Sequence, residues 1–170
     1  MLPGRANVLG YIDFMFEVLV FVYENYWRGD ACPELQQLGR KLSAHGFEPE
    51  EIQQALAWLD GLNFAAQGTQ LEQPDTTAAL ATTQSIHGMR VYSVAEQDHL
   101  GAQCLGFISF LESAGVLPPA LREIVVDRAM AAPVDSGDPV SVDDLKIIVL
   151  MVLFSDGVHA HAVDRLGRGE

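Results

Sequence analysis

Positive charge is scarce in this sequence. Ten Lys and Arg residues face 23 Asp and Glu, which leaves a formal charge of −13 over 170 residues. No Lys or Arg occurs between Lys41 and Arg90, while Glu48, Glu50, Glu51, Asp60, Glu72 and Asp75 fall in that interval. Phosphate backbones and anionic lipid headgroups repel such a chain, so nucleic acid is disfavoured as a partner and a basic protein is favoured. Cysteine is scarce too. Cys32 and Cys104 form no CxxC pair and no framework, so the expected setting is reducing and cytoplasmic. Long apolar runs are missing. Glu17 interrupts the stretch from Phe14 to Tyr23, and the run from Ile147 to Phe154 is short, whereas a membrane span needs about 20 apolar residues. Residues Met1 to Asn7 hold one Arg and no apolar segment with a cleavage site, so no signal peptide is expected.

The motifs of catalysis are absent as well. There is no GxGxxG or Walker sequence to cradle phosphate and no Gly-x-Ser-x-Gly elbow. Cys32 precedes a helix that could activate it, but its conceivable base, His45, lies at the far end of that helix, roughly 18 Å away by helical rise. His159-Ala160-His161 with Asp156, and Cys104 with His99, are the imaginable metal ligands. Neither has the paired spacing of a structural zinc site. Acid pairs at Glu50-Glu51 and Asp143-Asp144 open helices, where the backbone dipole alone accounts for them. No enzyme activity, cofactor or metal is expected.

What is present is helical patterning. Hydrophobic residues make up 49% and charged residues 19%, the balance of a globular chain. A first helix is expected over about Tyr11 to Trp27, with Asp13, Glu17 and Glu24 on one stripe and apolar residues elsewhere, so it must be covered nearly all round. A second, from Pro33 to His45, places Leu35, Leu38 and Leu42 on one face, and Gly46 suits a left-handed cap. A third opens at Pro49, carries Ile52, Ala55, Leu56 and Leu59, and is expected to close at Gly61. These two helices have helix-turn-helix proportions. Asn63 to Gly88 turns to Gln, Thr, Ala and Gly, with two charges. It reads as a linker, or as a β-hairpin wing pairing Asn63 to Ala66 with Met89-Arg90-Val91-Tyr92.

Ser93 to Glu96 matches a capping box, so a long helix is expected from Val94 to Ala114, ending at Gly115, with Leu100, Cys104, Phe107, Ile108 and Leu111 inward. A further helix spans about Pro119 to Ala131. Ser141 caps the last, whose apolar run from Leu145 to Phe154 should be the hub of the C-terminal half. The expected organisation is an N-terminal extension (1–10), a helix-turn-helix-like unit (11–62), a polar linker or wing (63–92), a C-terminal helical unit (93–154) and a frayed tail (155–170). The fold class is all-α with one short β-hairpin: a winged-helix-like three-helix unit followed by a C-terminal three-helix unit.

Several blocks resemble the bacterial Smg proteins. They are Met15-Phe16-Glu17-Val18-Leu19, then Gly46-Phe47 with Ala55-Leu56-Ala57-Trp58-Leu59. Met89-Arg90-Val91-Tyr92, Gly106 to Glu112, Arg122-Glu123-Ile124-Val125, Asp143 to Lys146 and Val149 to Phe154 follow in the same order. The family has no established activity, so the resemblance assigns no residue a role. It implies that members begin at the Met15 block, so residues 1–14 are an extension or Met15 is the true start.

Two surfaces remain as candidate partner sites. The outward face of the third helix shows Glu50, Gln53, Gln54, Ala57 and Asp60. Gln53 and Gln54 could read adenine, but the helix has no cation to anchor phosphate. The second surface is the charge group Arg122, Glu123, Asp127 and Arg128, which reads as a surface lattice or, more sharply, as a docking patch. The function expected is an adaptor or regulator that binds another protein, with self-association possible. A nucleic-acid regulator using the helix-turn-helix unit is the alternative, and an enzyme with a concealed site the second alternative.

Overall fold

The computed structural model describes residues 13–27, 34–70, 89–134 and 137–166, apart from the side chains of 13, 27, 69–70 and 156–166. The described residues form six α-helices: α1 (Asp13–Val22), α2 (Leu35–Ala44), α3 (Pro49–Gln70), α4 (Val94–Ser113), α5 (Pro119–Met130) and α6 (Val142–Leu166). A single π-turn, Tyr23–Trp27, extends α1.

The first helix is covered as its composition requires. Met15, Phe16, Val18, Leu19 and Val22 are buried while Glu17 and Glu24 are exposed. Its main neighbours are α3 and α6, and Tyr23 meets Phe154 edge to face at 5.0 Å. The hub expected in the last helix is there too, with Leu145, Ile148, Met151 and Val152 fully buried. One continuous apolar cluster runs from Met15 through Leu38, Leu59, Ile108 and Val125 to Val152, so both halves of the chain share a core.

Local chemistry sets the helix ends. Gly46 has φ +91°, with Gly46 N–H donating to Ser43 O and Phe47 N–H to Leu42 O. This is the paired closure that a left-handed glycine permits. Phe47 is thereby turned onto Phe21, at 5.3 Å between ring centres. At the start of α4 the Ser93 hydroxyl accepts from Glu96 N–H at 3.2 Å and the Glu96 carboxylate from Ser93 N–H at 2.8 Å, the reciprocal box expected.

Four expectations are corrected. No strand occurs among the described residues, and the hairpin and the winged-helix detail are not found. Asn63 to Ala66, the expected strand, lies inside α3. Gly61 does not stop that helix, because the buried stripe Ile52, Ala55, Leu59, Leu62, Ala66 continues through it at helical spacing. Met89 to Ser93 forms neither helix nor strand. Ser155 does not begin a frayed tail. Its hydroxyl bonds Val152 O at 2.8 Å, and α6 continues to Leu166 with no proline to break it. Finally, α4 is not one straight helix: Gly101 sits at φ +70°, ψ 165° and breaks it. Most of the 63–92 linker, residues 71–88, lies outside the described residues, as do the 1–10 extension and Cys32.

Candidate partner-binding surface

The two surfaces singled out in the sequence are held together by one interlocked pair. Trp58, on α3 and only 4% exposed, donates its indole N–H to Arg128 O on α5 at 3.0 Å. Arg128 returns the contact, its Nη1 donating to Trp58 O at 3.3 Å. The guanidinium packs against α3 where Gly61 has no side chain, and a Cβ there would meet Nη1. Gly61 is therefore a packing glycine. The remaining Arg128 donors reach Asp127 Oδ2 at 2.7 and 2.9 Å.

Beside this lock an open cleft of about 370 Å³ lies between α3 and the end of α5. Met15 and Trp58 form its buried floor, Ala57, Ala131 and Pro133 its low walls, and Gln54 and Arg128 its rim. Small walls over an apolar floor accept one apolar side chain, and the primary amide of Gln54 at the rim can pair with a backbone or side-chain polar group. On the same outward face of α3 stand Glu50, Gln53 and Asp60, all exposed, with Phe64 at 80% beyond them.

The other charge group is a tight network. Arg90 bonds both Glu96 oxygens at 2.8 and 3.2 Å and both Glu123 oxygens at 2.8 and 3.1 Å. Arg122 bonds Glu123 and Glu112. Glu96 and then Glu123 push the Arg90 pKa further above its usual range. Arg90 in turn, helped by the Ser93 backbone, holds the Glu96 carboxyl down at about 2. Burial alone would raise Glu123, but hydrogen bonds from Arg90 and Arg122 outweigh it and lower its pKa. Arg90 also stacks over the Tyr92 ring, 4.4 Å from its centre. Burial and then Glu112 raise the Tyr92 pKa, and its hydroxyl has no hydrogen-bond partner among the described residues.

The six sequence candidates thus divide. Gln54 and Arg128 meet at the cleft, Gln53 is exposed one residue away, and Asp127 braces Arg128. Arg122 and Glu123 belong instead to the network that ties the segment at Arg90 to α4 and α5. Arg122 and Arg128 are each only 14% exposed as side chains, so both are largely packed in. Of the metal candidates, the side chains of Asp156, His159 and His161 lie outside the described residues, and the other two have other contacts. Cys104 Sγ donates to Val140 O at 3.1 Å, with burial pushing its thiol up to about 11, and His99 Nε2 lies 3.0 Å from Ala129 O. No group of three or more His, Cys, Asp or Glu that could hold a metal occurs among the described residues. No helix among them is long and apolar enough to cross a membrane. Sequence reasoning missed Trp58 and the role of Gly61. A glycine inside an uninterrupted apolar period was the available signal for the latter.

The comparisons with known proteins agree on one family. A family model described as a protein of unknown function, DUF494, matches residues 15–167. The curated Smg homologue of Leptothrix cholodnii is 58% identical over 88% of this chain and 90% of its own length. That of Methylibium petroleiphilum is 56% identical over the same shares, and that of Bordetella pertussis 47% over 83% and 85%. No solved structure matches the chain significantly. With relatives this close over nearly the whole length, the chain belongs to the Smg protein family.

Proposed function

We propose that this protein is a non-enzymatic adaptor or regulator of the cytoplasm that works by binding another protein through the α3–α5 cleft. The observation that carries the reading is the chemistry of that cleft. Its lining of Met15, Gln54, Ala57, Trp58, Arg128, Ala131 and Pro133 offers apolar contact and hydrogen bonding. It offers no nucleophile and no acid–base pair, and its cation is already engaged by Asp127 and Trp58. A desolvated aromatic floor ringed by polar groups is the usual build of a protein-binding hot spot.

Charge narrows the partner. Glu50 and Asp60 on the outward face of α3, with Asp127 beside Arg128, lie in a chain of net charge −13. A segment with one apolar anchor flanked by Lys or Arg fits both features. The same face argues against a nucleic-acid role for α3, since phosphate would meet carboxylates there.

The test is affinity purification at native expression level, with mass spectrometry of the co-eluting proteins, for the wild type and for Ala57→Arg. Ala57 is exposed, so Arg fills the cleft and opposes a basic segment without touching the core. A basic protein recovered with the wild type and lost with the variant is the expected outcome. Identical recovery with both would show that the cleft does not bind.

A further inference from the structure

Between Gly101 and Leu121 the one charged residue is Glu112, and Arg122 pairs with it. At the chain's average of 19% charged, a stretch of that length would carry about four. The stretch is nonetheless well exposed. The outer side of α4 shows Ala102, Gln103, Gly106, Ser109, Phe110 and Ser113 to solvent, with Phe110 64% exposed. Val116, in the turn that follows, is 48% exposed.

Gly106 deserves a reason and the fold does not supply one. Glycine inside a helix costs about 0.5–1 kcal/mol against alanine. Gly61 makes room for the Arg128 guanidinium, and Gly101 is required by its positive φ and by Pro139, which lies 3.0 Å from where a Cβ would stand. Gly106 is helical, and a Cβ there would meet nothing within 4 Å. The same holds for Gly68, one turn from the exposed Phe64 on α3, but that face, unlike this one, carries Glu50 and Asp60. The open notch at Gly106 lies one turn from the exposed ring of Phe110 on the same face.

We propose that this face of α4 is where a second copy of the chain docks, with α4 antiparallel to its two-fold mate and each Phe110 seated over the other copy's Gly106. Charge selects that occupant. Two chains of net charge −13 repel each other over most of their surfaces. They can approach with little Coulombic penalty where charge is missing, and residues at a two-fold axis meet their own copies, so uncharged groups are required there. A basic partner would gain nothing electrostatically from this face and would be drawn to the acidic ones. Pairing here leaves the α3–α5 cleft of each copy for its partner, which makes the assembly bivalent.

Sedimentation velocity of the full chain over about 1 to 100 µM tests the proposal. The wild type is expected to shift from monomer to dimer. Raising salt from about 50 to about 500 mM should tighten the dimer, because screening relieves the repulsion between like-charged copies. Phe110→Glu, at an exposed position, should remain monomeric throughout with an unchanged helical spectrum. Gly106→Leu should raise the melting temperature while weakening the dimer about tenfold or more, a split that a merely structural glycine would not give. Ala57→Arg, in the cleft, should dimerise as the wild type does. A wild type that stays monomeric, a dimer that loosens with salt, a dimer that Phe110→Glu and Gly106→Leu leave intact, or one that Ala57→Arg abolishes would each overturn the assignment.

Discussion

Replacing Glu96 separates the capping and electrostatic contributions of the charge network. Its carboxylate accepts Ser93 N–H at 2.8 Å, closing the capping box of α4, and also accepts two Arg90 N–H groups at 2.8 and 3.2 Å. Losing an N-terminal cap costs about 1 kcal/mol. The Arg90 pair, with side chains 18% and 19% exposed, sits at the upper end of what partly shielded pairs contribute, again about 1 kcal/mol. Glu96→Ala should therefore cost about 2 kcal/mol at neutral pH, or roughly 4–8 °C in melting temperature for a domain of this size. Glu96→Gln keeps an oxygen for Ser93 and should lose about half as much. The pH dependence carries a definite sign. The folded carboxyl sits at about 2, against an ordinary value of 4.5, so its contribution is present above about pH 5 and is lost as pH falls toward 2. Melting curves of wild type and Glu96→Gln should therefore converge as the pH drops below about 5. A gap that stays constant with pH, or no gap at pH 7, would refute the placement of Glu96 in the network.

Other substitutions probe the remaining parts. Arg122→Glu would place a fourth carboxylate among Glu96, Glu112 and Glu123, so chemical denaturation should show a loss of about 2 kcal/mol or more. Gly101→Ala forces a Cβ into a positive-φ position 3.0 Å from Pro139, and a loss of about 1–3 kcal/mol is expected in the same assay. Trp58→Phe keeps most of the buried volume but leaves Arg128 O without its indole donor, for a loss of about 1–3 kcal/mol. The Trp58→Phe variant should also weaken partner capture in the purification assay, since Trp58 floors the cleft.

Wherever local rules act alone, the sequence foretold the structure. The capping box at Ser93, the left-handed cap at Gly46, the helix end at Gly115 and the largely apolar first helix are each properties of a short segment, and each appears as expected. Errors arose where a long-range contact overrides a local preference. Gly61 reads as a stop until Arg128, distant in sequence, is seen packed against it. Gly101 reads as an interior helix residue until Pro139 and Val140 are found in the break, with Val140 N–H bonding His99 O at 2.9 Å. The candidate residues show the same divide. Gln53 and Gln54 were legible as an exposed helix face, and Arg122 to Arg128 as a charge group. That Arg128 would join the first set and Arg122 stay in a separate network depends on how α5 packs, which no spacing within α5 encodes.

The proposed role turns on where a partner sits. Hydrogen–deuterium exchange of the protein, alone and with its principal co-purifying protein, measures that contact without altering a residue. Slower exchange in α3 around Gln54 to Trp58 and at the α5 end around Arg128 to Ala131 is the result expected of cleft binding. Slowing confined to other helices, with these segments unchanged, would contradict it.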